Sequence, residues 1–176
     1  FDESTAFVDM SAEITAALFP ETYTAGDARR IAERAFPFSP AVSPLSDGTY
    51  LLELFHGPSC AFKDFGASFL ATVMEDYLTA AGGRATILTA TSGDTGSAVA
   101  QAFHGKKNIE VVILYPSGRV SPLQEKQLTT LTGNVTALEV RGSFDDCQRM
   151  VKEAFVNREL KERFQLTSAN SINIGR

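Results

Sequence analysis

Thr86-Ile87-Leu88-Thr89-Ala90-Thr91, then Ser92-Gly93-Asp94-Thr95-Gly96-Ser97, then the apolar positions Ala98, Val99, Ala102 and Phe103, is the stretch whose reading decides the fold. A β-prone run passes through a glycine-bearing turn into a helical pattern that stops near Gly105. The same alternation repeats downstream. Ile109 to Leu114 is a second strand, and Ser121 caps a helix with Pro122 first and Gln124 three residues on, a capping-box spacing; Gly133 closes that helix. Val135 to Val140 is a third strand, Ser143 starts a helix whose Phe144, Cys147, Val151, Ala154 and Phe155 share a face, and Phe164 to Thr167 is a short fourth strand. Strands alternating with helices of this length imply right-handed crossovers and a parallel sheet covered on both faces, an α/β fold. Ligands in such sheets collect at the carboxyl ends of strands, which directs attention to the loops after Thr91, Tyr115, Val140 and Thr167.

Upstream, Asp9 to Phe36 is helical in pattern, with Ile14, Ala17 and Leu18 on one stripe and Ile31, Ala35 and Phe36 on another, divided by Pro20 and Gly26. Pro37, Pro40 and Pro44 punctuate an irregular link, and Ser46-Asp47-Gly48 turns into a short strand over Tyr50 to Phe55. A loop from His56 to Ala61 leads to Lys63. Beyond it Phe65, Phe69, Val73 and Tyr77 recur every four residues, with Leu70, Met74 and Leu78 widening the stripe until Gly82-Gly83.

The chain has 176 residues, 44% hydrophobic and 21% charged, with a net charge of -5. That balance suits an ordinary packed globular protein and argues against nucleic acid as the main partner. No apolar run approaches the roughly 20 residues of a membrane helix, so a soluble, cytoplasmic chain is expected. Cys60 and Cys147 lack any paired spacing, so free thiols are expected. Cys60 reads as a small buried residue rather than a reactive one. His56 and His104 are far apart with no carboxylates at ligand spacing, so no metal site is expected. The chain begins at Phe1 without Met and stops at Arg176, which reads as a portion of something longer.

Two segments carry chemistry. The loop from Thr91 to Ser97 sits where strand gives way to helix, and its amides and hydroxyls suit an anion at a helix N-terminus; it is neither a Gly-Lys-Ser/Thr phosphate loop nor a Gly-x-Gly-x-x-Gly fingerprint. By itself it serves equally as a structural cap and tight turn. Lys63 lies among Ala61, Phe62 and Phe65, where partial burial makes an amine a usable nucleophile or base; the alternative is a lysine whose stem covers apolar surface.

In this order, Ala61-Phe62-Lys63-Asp64-Phe65-Gly66 and Ser92-Gly93-Asp94-Thr95-Gly96 resemble the threonine synthase family. Leu54-Phe55-His56-Gly57-Pro58, Tyr115-Pro116 with Ser121-Pro122-Leu123-Gln124-Glu125-Lys126, and Ser168-Ala169-Asn170-Ser171-Ile172-Asn173 extend the resemblance from Leu51 to Arg176. It implies a fold-type-II, tryptophan-synthase-β-like enzyme that uses pyridoxal 5'-phosphate to convert O-phospho-L-homoserine and water to L-threonine and phosphate. Lys63 would hold the cofactor as a Schiff base and shuttle protons. Ser92, Gly93, Asp94, Thr95 and Gly96 match the loop that grips the substrate carboxylate and faces the cofactor. Asp94 stands where many relatives have Asn, and an anion there would repel the cofactor's phenolic oxygen unless one is protonated or the loop turns away. Asn170, Ser171 and Arg176 match positions that bind the substrate phosphate, with Lys126 a further candidate.

The resemblance also implies a division into residues 1–82, a lysine-bearing part of a larger domain; 83–169, a small α/β domain; and 170–176, the start of the return to the larger one. The family's loop for the cofactor phosphate would lie beyond Arg176, so the remainder of the protein's own chain is an expected partner and the 176 residues alone are expected to be inactive. A sister serine or threonine dehydratase or cysteine synthase shares the lysine and the sheet, and a non-catalytic binding module is the alternative outside enzymes.

Overall fold

The computed structural model describes residues 4–169. Its centre is a four-stranded parallel sheet of β3 (Ala85–Ala90), β4 (Ile109–Pro116), β5 (Val135–Val140) and β6 (Leu166–Thr167), in the order β5-β4-β3-β6. Ala85 stands opposite Ile109, Val111 opposite Val135, and Thr86 opposite Leu166. Strand alternation sorts the core into two layers. Ile87, Ile109, Val111 and Ile113 face α3 (Lys63–Ala81), α4 (Asp94–Phe103) and α5 (Pro122–Thr129), burying Ala71, Val99, Phe103 and Leu128. Leu88 and Leu114 face the other way, onto Cys147, Val151 and Phe155 of α6 (Phe144–Val156). Each large side chain buried in these layers contributes about 1.5–3 kcal/mol. The parallel α/β architecture expected from the alternation is therefore present.

Helix starts follow local chemistry. Ser121 and Gln124 form a reciprocal capping box on α5, as their spacing predicts, with Pro122 in the first turn. Ser143 and Asp146 do the same for α6. A third box, Thr24 with Asp27, opens α2 (Ala25–Ala35).

The N-terminal part packs α1 (Phe7–Leu18) and α2 against α3. Ala28, Ile31, Ala32 and Ala35 give α2 a fully buried face. Phe36 stacks on Phe69 at 6.1 Å, and Phe7 and Phe38 meet Phe65 edge-on at 5.7 and 5.0 Å. Arg34 reaches Glu75 at 2.6 Å and Asp76 at 3.1 Å, while Glu75 also accepts from Lys106 Nζ and the Lys107 amide at 3.2 and 2.9 Å. Glu75 thus ties α2, α3 and the α4–β4 turn together.

Several expectations are corrected. The supposed irregular link contains a strand, β1 (Ala41–Ser46), which pairs antiparallel with β2 (Thr49–Glu53) around the Asp47-Gly48 turn. Pro44 is tolerated because this two-stranded ribbon is all edge, and the register shifts between Pro44 and Ser46. Val42, Leu45, Tyr50 and Leu52 on it are exposed. Helix α5 ends at Thr129 rather than at Gly133. A separate short helix, α7 (Arg158–Phe164), capped by the Asn157 side chain on the Leu160 amide, precedes β6, so Phe164 is helical and the fourth strand begins at Leu166. Among the described residues no helix is long and apolar enough to cross a membrane.

Candidate active site

Lys63 is the first residue of α3, so its position depends on the loop before it. Asp64 builds that loop: it is 1% exposed, and its carboxylate accepts from the Ser59 amide at 2.9 Å and the Ser59 hydroxyl at 2.6 Å. A buried carboxylate that gathers two donors from five residues upstream folds the chain back over the start of α3. Lys63 Nζ then lies over the Phe62 ring, 5.0 Å from its centre.

The Lys63 side chain lines a cavity of about 290 Å³ beyond the carboxyl ends of β3 and β6. Ala90 and Thr95 form one part of its wall, Ser168 another, and Gln148 and Lys152 of α6 a third. This is where a parallel sheet is expected to hold a ligand. A second, nearly all-apolar cavity of about 350 Å³ has Phe7, Leu52, Phe62 and Phe65 in its wall and also borders Lys63.

Thr91 organises the glycine-bearing loop. Its buried hydroxyl accepts from the amides of Gly93 at 3.1 Å and Gly96 at 2.9 Å and donates to the Gly93 carbonyl at 2.9 Å. Gly96 is required by close approach: a Cβ there would lie 2.3–2.7 Å from the Thr91 side chain. With the Gly93 and Gly96 amides occupied, those of Asp94 and Thr95, in the unpartnered first turn of α4, are the ones offered to an anion. Ser92, Asp94 and Thr95 are exposed, Gly93 is half-buried and Gly96 buried.

The Asp94 carboxylate turns to α5, where Gln124 Nε2 donates to its Oδ1 at 2.9 Å. Asp94 is not part of the wall around Lys63; Thr95 is. Lys126 is exposed on α5. Asn170, Ser171 and Arg176 lie outside the described residues.

His56 Nε2 donates to the Glu53 carboxylate at 2.8 Å, and Ser43 Oγ donates to the same carboxylate at 2.7 Å. Those bonds, the Ser43 one foremost, hold the Glu53 carboxyl below its ordinary range. His104 is the exposed residue that closes α4. No cluster of metal-ligating side chains occurs among the described residues. Cys60 is exposed rather than buried, in the left-handed backbone region at φ 58°. Cys147 is fully buried under the sheet, which pushes its thiol up, with Asp146 adding to the effect. Burial likewise raises Tyr115, whose hydroxyl lies 3.4 Å from Glu125, and the Glu125 and Glu139 carboxylates raise it further.

Sequence reading missed Thr91 as the organiser, and Gln148 and Lys152 as wall residues. Gln148 and Lys152 are four apart, the spacing of one helix face, but on a helix whose apolar stripe accounts for the pattern nothing marks a second, functional stripe.

Known proteins share this sequence and fold. Residues 39–172 match the pyridoxal-phosphate dependent enzyme family. The chain is 49% identical over 170 residues to the threonine synthase of Serratia marcescens, covering 97% of this chain and 39% of that protein. Among solved structures, pyridoxal-phosphate-bound threonine synthase from Brucella melitensis superposes with a TM-score of 0.89 at 38% identity, covering 97% of this chain and 38% of that one. Threonine synthase from Escherichia coli gives 0.85 at 48% identity, with 97% and 39% covered. The chain thus spans about two fifths of the length of the relatives it matches.

The residues present fit that cofactor: a primary amine in the wall of a cavity that Thr95 also lines, beside a helix N-terminus suited to anions. On the sequence match, the shared fold and the lysine-lined cavity together, the chain belongs to the pyridoxal-phosphate dependent enzyme family.

Proposed function

We propose that the intact gene product is a threonine synthase, converting O-phospho-L-homoserine and water to L-threonine and phosphate. In that conversion the carbon–oxygen bond to the phosphate breaks, a hydroxyl from water is added at the neighbouring carbon, and inorganic phosphate leaves. The observation that carries the reading is the meeting of Lys63 and Thr95 in one cavity at the strand ends, in a chain 47–49% identical to curated threonine synthases.

Pyridoxal phosphate, when bound, supplies the electron sink that stabilises negative charge at the substrate carbons. Lys63 would hold it through Nζ and would carry protons at that same atom. Thr95 and the free amides of the loop orient the substrate carboxylate, and Ser92 adds a hydroxyl at the loop's start. Asn170, Ser171 and Arg176 have the donor chemistry for the substrate phosphate, with Lys126 on the α5 side. The division at residues 82 and 83 puts Lys63 on one unit and the anion loop on the other. A cytoplasmic enzyme acting on this small molecule, with neither nucleic acid nor membrane as partner, fits the acidic composition.

The test is phosphate release by the intact gene product offered O-phosphohomoserine, with serine as competitor substrate. Release from phosphohomoserine alone supports the reading; turnover of serine with none of phosphohomoserine overturns it in favour of a dehydratase or cysteine synthase.

A further inference from the structure

We infer that Gln124 is a positioning residue for the anion loop: by holding the Asp94 carboxylate against α5, it keeps that negative charge off the amides and the Thr95 hydroxyl that receive the substrate. The inference deepens the proposed function and rests on it for its kinetic arm.

Three hydrogen bonds fix Gln124, two of them at its side-chain amide. Its Oε1 accepts from the Ser121 amide at 3.2 Å as part of the α5 capping box, and its backbone amide donates to Ser121 Oγ at 3.3 Å. With the oxygen so engaged, the nitrogen must face outward, and it donates to Asp94 Oδ1 at 2.9 Å. The same nitrogen lies against the backbone of Gly93: a Cβ on Gly93 would come within 2.8 Å of it. A side chain at Gly93 would have to displace this amide from its place beside Asp94. One side chain caps its own helix, α5, and holds over the first residue of the preceding one, α4.

The electrostatics give this contact its purpose. A carboxylate at the first position of α4 is attracted by the same unpartnered amides that would bind a substrate anion. Left free, Asp94 competes for those amides or repels the incoming carboxylate. Bound to Gln124, its charge is spent on an amide donor that belongs to α5. This is how an acidic residue is accommodated in a loop built to receive anions.

The experiment compares wild type, Gln124→Ala, Asp94→Asn and the double variant. Hydrogen exchange is followed at the amides of residues 92–96 in the unliganded protein, KM and kcat are taken from phosphate release, and thermal melts verify folding. Loss of a hydrogen bond to a charged group predicts about tenfold or greater effects. Gln124→Ala speeds loop exchange and raises KM by about that factor with a smaller change in kcat. Asp94→Asn in the Gln124→Ala background returns KM to within about threefold of Asp94→Asn alone while leaving exchange fast, since the charge is gone but the tether stays broken. A merely structural Gln124 gives no such rescue. Unchanged exchange in Gln124→Ala, unchanged KM, or a double variant no better than the single one overturns the inference. Should wild type release no phosphate, the proposed function falls, and the exchange measurement alone decides whether Gln124 positions the loop.

Discussion

Asp64 follows Lys63 directly, and both of its carboxylate oxygens are taken by one residue: Oδ2 accepts from the Ser59 amide at 2.9 Å and Oδ1 from the Ser59 hydroxyl at 2.6 Å. The chain between them is thereby closed into a loop that delivers the lysine to the start of α3. Because Asp64 and Ser59 are 1% and 7% exposed, removing either leaves the other unpaired away from water. Asp64→Ala is predicted to lower unfolding free energy by about 3 kcal/mol, read as a lower urea midpoint with unchanged slope. Asp64→Asn, which keeps one acceptor, costs less. Equal midpoints for wild type and Asp64→Ala would show that the loop is held by other contacts.

Gly96→Ala attacks the anion loop from inside. The new methyl group meets the buried Thr91 side chain at 2.3–2.7 Å, so the hydroxyl that fastens the Gly93 and Gly96 amides must move. Overpacking of this kind costs about 1–3 kcal/mol, and the variant is predicted to lose affinity for anionic ligands as well as stability. Isothermal titration with O-phosphohomoserine checks the affinity; binding as tight as wild type would contradict the role given to Thr91.

Thr72 and Ser97 are fully buried, and their hydroxyls have no hydrogen-bond partner among the described residues. Thr72→Val and Ser97→Ala remove a buried polar atom while nearly conserving shape. Each is predicted to leave stability unchanged or raise it by about 1 kcal/mol, seen as an equal or higher melting temperature. A drop of that size for either would mean that its hydroxyl is bonded in solution.

Glu75 gives a pH dependence. Burial works to raise its carboxyl, but the Lys107 amide, Lys106 and Arg34 outweigh it and hold the group below its ordinary 4.5. The folded state therefore favours the anion: the stabilisation is complete above the unfolded value and is lost as pH falls through the lower folded one. Glu75→Gln is predicted to be less stable than wild type at neutral pH, with the difference closing as pH drops below about 4. A difference independent of pH from 7 to 3 would mean that packing, not charge, sets the contribution of Glu75.

The sheet and the helices around it were legible because their signals are local: apolar runs of strand length, the Ser121 and Gln124 spacing, and the stripe from Phe65 to Tyr77 survive any tertiary context. β1 was not, because Pro44 and its neighbours argue against a strand unless one knows that it is an edge. α7 is about two capped turns of mostly charged residues with nothing buried, and its single apolar pair, Leu160 and Phe164, is too short a pattern to read as a helix face. At the candidate site, Lys63 and the loop from Ser92 to Gly96 stand out by residue type. Thr91, Gln124 and Lys152 do not, since Gln124 meets Asp94 across 30 residues of sequence, and Lys152 and Lys63 come to one cavity wall only through the fold. The turn of Asp94 toward α5 is likewise a tertiary fact, invisible in the motif itself.

The most direct test of the account is to incubate the intact gene product with pyridoxal phosphate, reduce it with borohydride, and map the modified peptide by mass spectrometry. The account predicts a phosphopyridoxyl group on the Nζ of Lys63, absent from Lys63→Ala, together with loss of the visible absorbance of the bound cofactor. Modification at Lys152 in the same cavity, or none at all, would contradict it.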